Sequence, residues 1–341
     1  MQPVSSNRIR AAVRIVAAGI VLIATGCASI KPGQPLARRG DEIIVAGHLF
    51  HTGTPVVLWL DPGGYDAYRV ERHFAAPEVA DWATTHKQVP GIESPNRYGD
   101  RNRLLPPPVA ARAHTNGWDL AMAQSVVDQF VLHYDAAGLS SRCFRILHDE
   151  RGLSVHFMLD VDGTIYQTLD LKERAWHATS SNSRSVGIEI ANVGAFPPGK
   201  TERLNEWYHV DGAAGLRLTP DGAPETMGIR TLGFAGRPDR PEFVKGEVQG
   251  QTLLQGDFTI QQYEALTKLT VALCRIFPKL KCDYPRDKNG ALITHRLEDG
   301  MLKNYQGVLG HYHIQTEKVD PGPAFQWDRV VGEAQRQLRE K

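Results

Sequence analysis

Residues 310–323 read Gly-His-Tyr-His-Ile-Gln-Thr-Glu-Lys-Val-Asp-Pro-Gly-Pro. An imidazole, an ammonium and a carboxylate stand close together there, and Pro321, Gly322 and Pro323 prevent any regular strand from continuing past Asp320. Such a segment suits side chains that must be held still. Neutral imidazole nitrogen and carboxylate oxygen both suit Zn²⁺, which makes His311 and Asp320 candidate ligands in need of a third. The best third is His133, the polar interruption in the apolar run Phe130-Val131-Leu132-His133-Tyr134-Asp135. His295 and His313 compete with His311 for the second position. Three protein ligands leave one position of a tetrahedral zinc for water, as in hydrolytic zinc sites. A further acid, Glu189, interrupts Val186-Gly187-Ile188-Glu189-Ile190. A buried carboxylate without a partner is costly, so Glu189 is either half of a salt bridge or a general base beside the metal.

These groups need elements to carry them. Phe130–Asp135 reads as a strand with Val131, His133 and Asp135 on one face, and His133 near the carboxyl end where open α/β sheets place their sites. A helix capped by Ser140 or Ser141 runs through Leu147 to Gly152, with His148 on its surface. Leu153–Asp160 and Thr164–Leu169 form a hairpin around Val161-Asp162-Gly163, with His156 in its first strand. In the Glu189 strand, Val186, Ile188 and Ile190 share the opposite face. Residues 197–255 form a long Gly- and Pro-rich connection placed to overhang the cleft. Within it, Trp207, Tyr208 and His209 make either a sugar or peptide platform or a small local core. Thr259-Ile260-Gln261-Gln262 is a capping box. It opens a helix that lines up Tyr263, Leu266, Leu269, Leu273 and Ile276 and ends at Pro278. A last helix runs from Pro323 to about Arg339.

Four stretches carry a resemblance: FVLHYDA, RGLSVHFMLDVDGTIYQTLDLKERAWHA, NSRSVGIEIANVG and GHYHIQTEKVDPGPAFQW, in that order between about Gln129 and Trp327. Together they resemble the zinc-dependent N-acetylmuramoyl-L-alanine amidases of type 2, in the superfamily of peptidoglycan recognition proteins and phage amidases. The resemblance implies an α/β fold, a mixed central β-sheet flanked by helices, here with an N-terminal extension. It implies Zn²⁺ on His133, His311 and Asp320, Glu189 as general base, and Lys318 beside the oxyanion. His156, Trp176, His177, Asn182 and Arg184 are then expected around the substrate; arginine suits the carboxylates of a peptide stem. The reaction implied is hydrolysis of the amide joining N-acetylmuramic acid to L-alanine, in peptidoglycan or in muropeptides. Phage and animal members carry tyrosine where this chain has Val155 and cysteine where it has Asp320; both differences place it with the bacterial branch. The rival from another class is a non-catalytic peptidoglycan-binding module, which typically lacks a zinc ligand. A zinc peptidase would need the HExxH motif, which this sequence lacks.

The first residues are of a different kind. Arg8, Arg10 and Arg14 precede an apolar run from Ile15 to Thr25, and Gly26-Cys27 follows. The run is shorter than the roughly 20 residues a spanning helix needs and reads as a signal peptide, residues 1–27. Its end resembles a bacterial lipobox, with Ala24 where leucine is usual. That implies lipidation of Cys27 and a membrane anchor; Ala28 in place of aspartate resembles sorting to the outer membrane, facing the periplasm. Residues 28–40 read as a tether. Residues 41–117 read as an N-terminal extension containing a hairpin from Glu42–Val45 to Val56–Leu60 around Thr52-Gly53-Thr54. From Tyr65 to Gly117 the extension has no clean period, and His48, His51, His73, His86 and His114 have no ligand spacing. The catalytic domain is expected at 118–340, with an insertion at about 195–256. Lys and Arg total 39 against 38 Asp and Glu, with no basic run past the signal, which argues against nucleic acid as a partner. Cys143, Cys274 and Cys282 allow at most one disulfide; Cys274 and Cys282 pair, or all three stay free.

Overall fold

The computed structural model describes residues 32–69, 97–219 and 228–340; the signal peptide, Cys27, His73 and His86 lie outside them. Strand β1 (Glu42–Val45) folds straight back on β2 (His48–His51). The hairpin expected to close at Thr52–Thr54 therefore closes at Ala46-Gly47, both at positive φ. The cause is remote in sequence: the Asp170 carboxylate accepts the amides of Ala46 at 2.7 Å and Gly47 at 2.8 Å. β3 (Val56–Leu58) leaves the hairpin and joins the central sheet. β4 (Tyr98–Gly99) is a short edge piece. The proline run after it, without period in sequence, opens helix α1 (Pro107–Asn116), since proline in the first turn loses no needed N–H and brings a helical φ. α2 (Leu120–Val126) is capped by Asp119, which accepts from Met122 N.

β5 (Gln129–Tyr134) follows, then α3 (Ser140–Phe144), which continues in wider turns through Glu150. Its cap is Leu139, without a side-chain hydrogen bond, rather than Ser140 or Ser141. His148 is buried rather than on the surface: its ring stacks on Phe144 at 4.9 Å and Arg97 covers its carbonyl at 3.0 Å. β6 (Phe157–Leu159) and β7 (Ile165–Gln167) are the expected hairpin, shorter than its apolar pattern. β8 (Arg174–Ala175) pairs with β4, and β9 (Ser185–Ile190) carries Glu189.

The connection that follows is structured: β10 (Ala195–Phe196), α4 (Glu202–Trp207), the hairpin β11 (Tyr208–Val210) and β12 (Leu216–Leu218), and the hairpin β13 (Val244–Val248) and β14 (Gln251–Gln255). Trp207 and Tyr208 are buried in a local core with Leu204 and Leu216, while His209 is exposed. The platform reading gives way to the core reading. α5 (Ile260–Ile276) has its capping box, Gln262 N to Thr259 Oγ1 at 3.1 Å and Thr259 N to Gln262 Oε1 at 2.9 Å. α6 (Asp299–Asn304), β15 (Gly307–Gly310) and α7 (Glu333–Arg339) complete the chain.

The central sheet has the order β15-β5-β9-β6-β7-β3, parallel except for β6 against β7. Phe130, Leu132, Ile188 and Ile190 on one face pack with Leu266, Leu269 and Leu273 of α5. Burying each such side chain contributes about 1.5–3 kcal/mol, and that layer holds the sheet against its helix. The opposite face of β5 and β9 is left to His133 and Glu189. This is the expected mixed sheet flanked by helices, with the N-terminal segment supplying edge strand β3. Cys143, Cys274 and Cys282 are free thiols. Among the described residues no helix is long and apolar enough to cross a membrane.

Candidate metal centre and cleft

In the parallel pairing of β5 and β9, His133 stands opposite Glu189, so the two side chains rise from the same face. β15 runs beside β5 and delivers His311 just past its carboxyl end. The chain then loops through Lys318 and returns at Asp320, whose peptide bond to Pro321 is cis. His133 Nδ1 lies 3.0 Å from His311 Nδ1 and 2.9 Å from Asp320 Oδ2, and His311 Nδ1 lies 3.0 Å from that same oxygen. All three residues are buried.

Ligand atoms on a tetrahedral zinc are separated by about 3.3 Å, from bonds of about 2.0–2.1 Å, so this triangle is close to the size of such a site. Its chemistry fits as well. Burial, and then the neighbouring His311, lower the His133 pKa to about 4. Burial opposes ionisation of Asp320, yet the two imidazoles hold its carboxyl well below the usual range. Two neutral nitrogens and one anion facing inward are a cation's donor set. The outer nitrogens are also tied: His311 Nε2 to Gln315 Oε1 at 2.8 Å and His133 Nε2 to His177 Nδ1 at 3.0 Å. Outer partners of this kind orient metal-binding histidines.

The rivals fall elsewhere. His295 is exposed, with Nδ1 on the Arg296 carbonyl. His313 is buried but fully used: Nδ1 accepts from Gly310 N at 2.9 Å and Nε2 donates to the Ile293 carbonyl at 2.7 Å.

A cavity of about 330 Å³ opens over the triangle, lined by His133, Glu189, His311, Lys318 and Asp320 with Arg151, Trp176 and His177. It shares Arg151, Trp176, His177, His311 and Lys318 with an adjoining cavity of about 600 Å³ that adds Arg174, Asn182 and Gln315. Glu189 is buried, and among the described residues its carboxylate has no salt bridge or side-chain hydrogen bond. Burial first, then Asp320 and Asp135, push its pKa well up, opposed by Arg151 and Lys318. The ordinary explanation for this acid, a salt bridge, is therefore absent there.

The five residues expected around the substrate divide. Trp176 and His177 line the cleft, and Asn182 lines its outer part while its Oδ1 accepts the amides of His177 at 3.0 Å and Ala178 at 2.6 Å. His156 is wholly buried below the cleft. Its Nδ1 accepts from Gly187 N at 3.1 Å, which puts its proton on Nε2, 3.0 Å from the Glu173 carbonyl. Arg184 points away from both cavities: it forms a two-armed pair with Asp128, Nε to Oδ1 at 2.6 Å, and also donates to the Tyr305 carbonyl. Arg151 and Arg174, which do line the cleft, fall within the second of the four family-like stretches, where nothing singles them out as facing substrate. The described residues of the 197–255 connection line neither cavity. It braces the ligand loop instead. Gln249 Nε2 donates to the carbonyls of Tyr312 and Gln315, each at 2.9 Å, and Gln255 bridges Pro321 O and Ala324 N.

Fold and cavity together define a mixed α/β domain with a candidate single-metal centre in an open groove. The N-acetylmuramoyl-L-alanine amidase family profile matches residues 123–323, and the chain belongs to that family. Among solved structures it is similar to a selenomethionine AmpD derivative (17% identity, 71% of this chain and 92% of that one, TM-score 0.32). It is also similar to the endolysin amidase LysCS from Clostridium intestinale URNW (15%, 62% and 86%, TM-score 0.33). A third is the amidase AmiD from E. coli in complex with anhydro-N-acetylmuramic acid-L-Ala-D-gamma-Glu-L-Lys (16%, 61% and 57%, TM-score 0.33). No curated protein matches the chain.

Proposed function

We propose that the protein is a zinc-dependent amidase that cleaves the bond between N-acetylmuramic acid and L-alanine in peptidoglycan or its fragments. The observation that carries the reading is the convergence of His133 Nδ1, His311 Nδ1 and Asp320 Oδ2 beside an acid, Glu189, that has no partner among the described residues, in a chain of this family. When bound, Zn²⁺ supplies Lewis acidity for the scissile carbonyl and activates water. Glu189 holds the position of the base: it takes a proton from the attacking water and returns it to the leaving amine. Lys318, beside both ligands of the loop, balances negative charge on the carbonyl oxygen. Trp176 offers an apolar wall. Arg151 and Arg174 face the groove where Arg184 was expected, and they suit the carboxylates of a peptide stem.

The intact ligand triad and the unpartnered Glu189 speak against a module that only binds. The charged and apolar pattern of residues 8–27 supports a lipid anchor at Cys27 in the bacterial cell envelope. The deciding experiment incubates purified protein with a defined muropeptide and follows the products by mass spectrometry. Free L-alanyl amino termini together with an intact sugar fragment are expected. Binding without any cleavage by zinc-loaded protein would leave the binding module as the correct reading.

A further inference from the structure

Arg101 is wholly buried, yet among the described residues no carboxylate pairs with it. Burying a cation that way is costly unless its donors are matched. Its two terminal nitrogens are matched by main-chain carbonyls: Nη1 donates to Asn182 O at 3.2 Å and Ser183 O at 2.8 Å, and Nη2 to Leu171 O at 3.3 Å and Ser185 O at 2.8 Å; Nη2 also lies 3.1 Å from His156 Nε2, and among the described residues Nε has no partner. The planar fork of arginine can serve two directions at once; a lysine ammonium cannot reproduce that geometry.

The carbonyls it gathers belong to the residues that fix His177. Asn182 Oδ1 accepts the His177 amide, and Ser185 Oγ lies 3.2 Å from His177 Nε2. β4, two residues before Arg101, pairs with β8, two residues before His177. The His177 ring lies over Gly187, where any Cβ would overlap it. From there Nδ1 reaches His133 Nε2 at 3.0 Å. With the Nδ1 lone pair of His133 committed to the ligand triangle, its proton sits on Nε2 and is donated to His177 Nδ1. His177 then carries its own proton on Nε2, toward Ser185. One direction of donation runs through the whole chain of contacts.

We propose that Arg101, which precedes the family-matched region, is a positioning residue for the metal centre: it holds Asn182 and Ser185, these hold His177, and His177 orients His133. The inference rests on the reading of His133, His311 and Asp320 as metal ligands. It gives the N-terminal segment a role in the reaction centre that its distance in sequence conceals.

The test measures zinc dissociation constants of the full chain by chelator competition, with melting temperatures of the metal-free proteins alongside. Losing an outer partner of a metal ligand costs about 10–100-fold in affinity. Arg101→Lys, Asn182→Ala and Ser185→Ala should each weaken zinc binding toward that range, and Arg101→Lys should add nothing in a His177→Ala background. Wild-type zinc affinity in the single variants, whatever their melting temperatures, overturns the proposal; so do independent, multiplying effects of Arg101→Lys and His177→Ala. If Arg101→Lys does not fold, Asn182→Ala and Ser185→Ala decide alone, and unchanged affinity in both overturns it. Wild-type protein that binds no zinc defeats the metal reading itself, a result distinct from the others.

Discussion

Toward the β3 edge of the sheet, at the end of β7, Gln167 is wholly buried and its amide is completely used: Oε1 accepts Ile44 N, and Nε2 donates to Ile44 O and Leu169 O, all at 2.8 Å. Asp170 nearby takes the amides of Ala46, Gly47 and Lys172. Across the sheet, at the carboxyl ends of β5 and β9, buried polar groups do the reverse. His133, His311 and Asp320 turn acceptor atoms toward one another, and among the described residues Glu189 has no salt-bridge or hydrogen-bond partner. Closed bonds hold a fold together, at roughly 0.5–1.5 kcal/mol each. Converging lone pairs destabilise one until a cation or substrate arrives. The histidines divide the same way: His313 and His156 spend both nitrogens on the main chain, while His133 and His311 keep one each for the triangle.

The strongest break in this comparison comes at the triangle. His133→Ala or Asp320→Ala should take zinc content from about one per chain to near none by elemental analysis, and amidase turnover to background. Either variant with full zinc and normal turnover would remove the triangle from the mechanism. Glu189→Gln is next. It should retain zinc and lose about 10²–10⁴ in rate. The folded state holds a proton on Glu189 more tightly than the unfolded chain does, because burial pushes its pKa well up. Such a group is least favourable to the fold at neutral and higher pH. The neutral amide should therefore leave the melting temperature of metal-free protein unchanged or raise it. A clear drop in melting temperature, with turnover per folded molecule intact, would make Glu189 structural after all.

At the closed edge the signs reverse. Gln167→Ala orphans the Ile44 amide and removes a donor from the carbonyls of Ile44 and Leu169, and should cost about 1–3 kcal/mol in chemical denaturation with zinc content unchanged. His313→Ala should behave alike. Zinc loss in His313→Ala, out of proportion to its instability, would blur the division between the two kinds of histidine.

What was legible in the sequence follows the same division. His133 and Glu189 stood out because each breaks an apolar strand, and His311 and Asp320 because Pro and Gly frame them; the structure brings all four together. The bonds that close are made with main-chain atoms far away, and these have no residue signature. The β1–β2 turn is set by Asp170, more than a hundred positions on. Arg184 was expected at the substrate, but its partner Asp128 precedes it by 56 positions. His156 looked like a cleft residue until Gly187 N and Glu173 O were seen to use it. Arg101 meets four main-chain carbonyls and the His156 ring, all more than fifty positions on, and Gln249 and Gln255 brace the ligand loop from a connection that looked like a lid. Residue types announce chemistry; they do not announce which carbonyl a donor will find.

A last effect, spread gradually over pH, tests whether this side of the sheet is closed everywhere. Asp160, at the end of β6, is wholly buried and lines neither cavity of the cleft. Its Oδ1 accepts Val161 N at 2.8 Å, but among the described residues Oδ2 makes no hydrogen bond that meets ordinary geometry. Burial, helped by Asp162 and Asp135 and opposed by the Val161 amide, raises its pKa to about 8. A carboxyl raised in this way binds its proton more tightly in the folded state. Its contribution to stability is complete below the unfolded value near 3.8 and is lost as pH rises through about 8. Asp160→Asn copies the protonated shape and cannot ionise. Relative to wild type, it should gain stability as pH increases, by up to about 1.4 kcal/mol for each pH unit between about pH 5 and pH 8, read from urea denaturation at each pH. A difference that stays constant across that range would mean that Asp160 is ionised in the fold. This side of the sheet would then hold a buried open charge of its own, and an unpartnered carboxylate would no longer by itself distinguish the cleft.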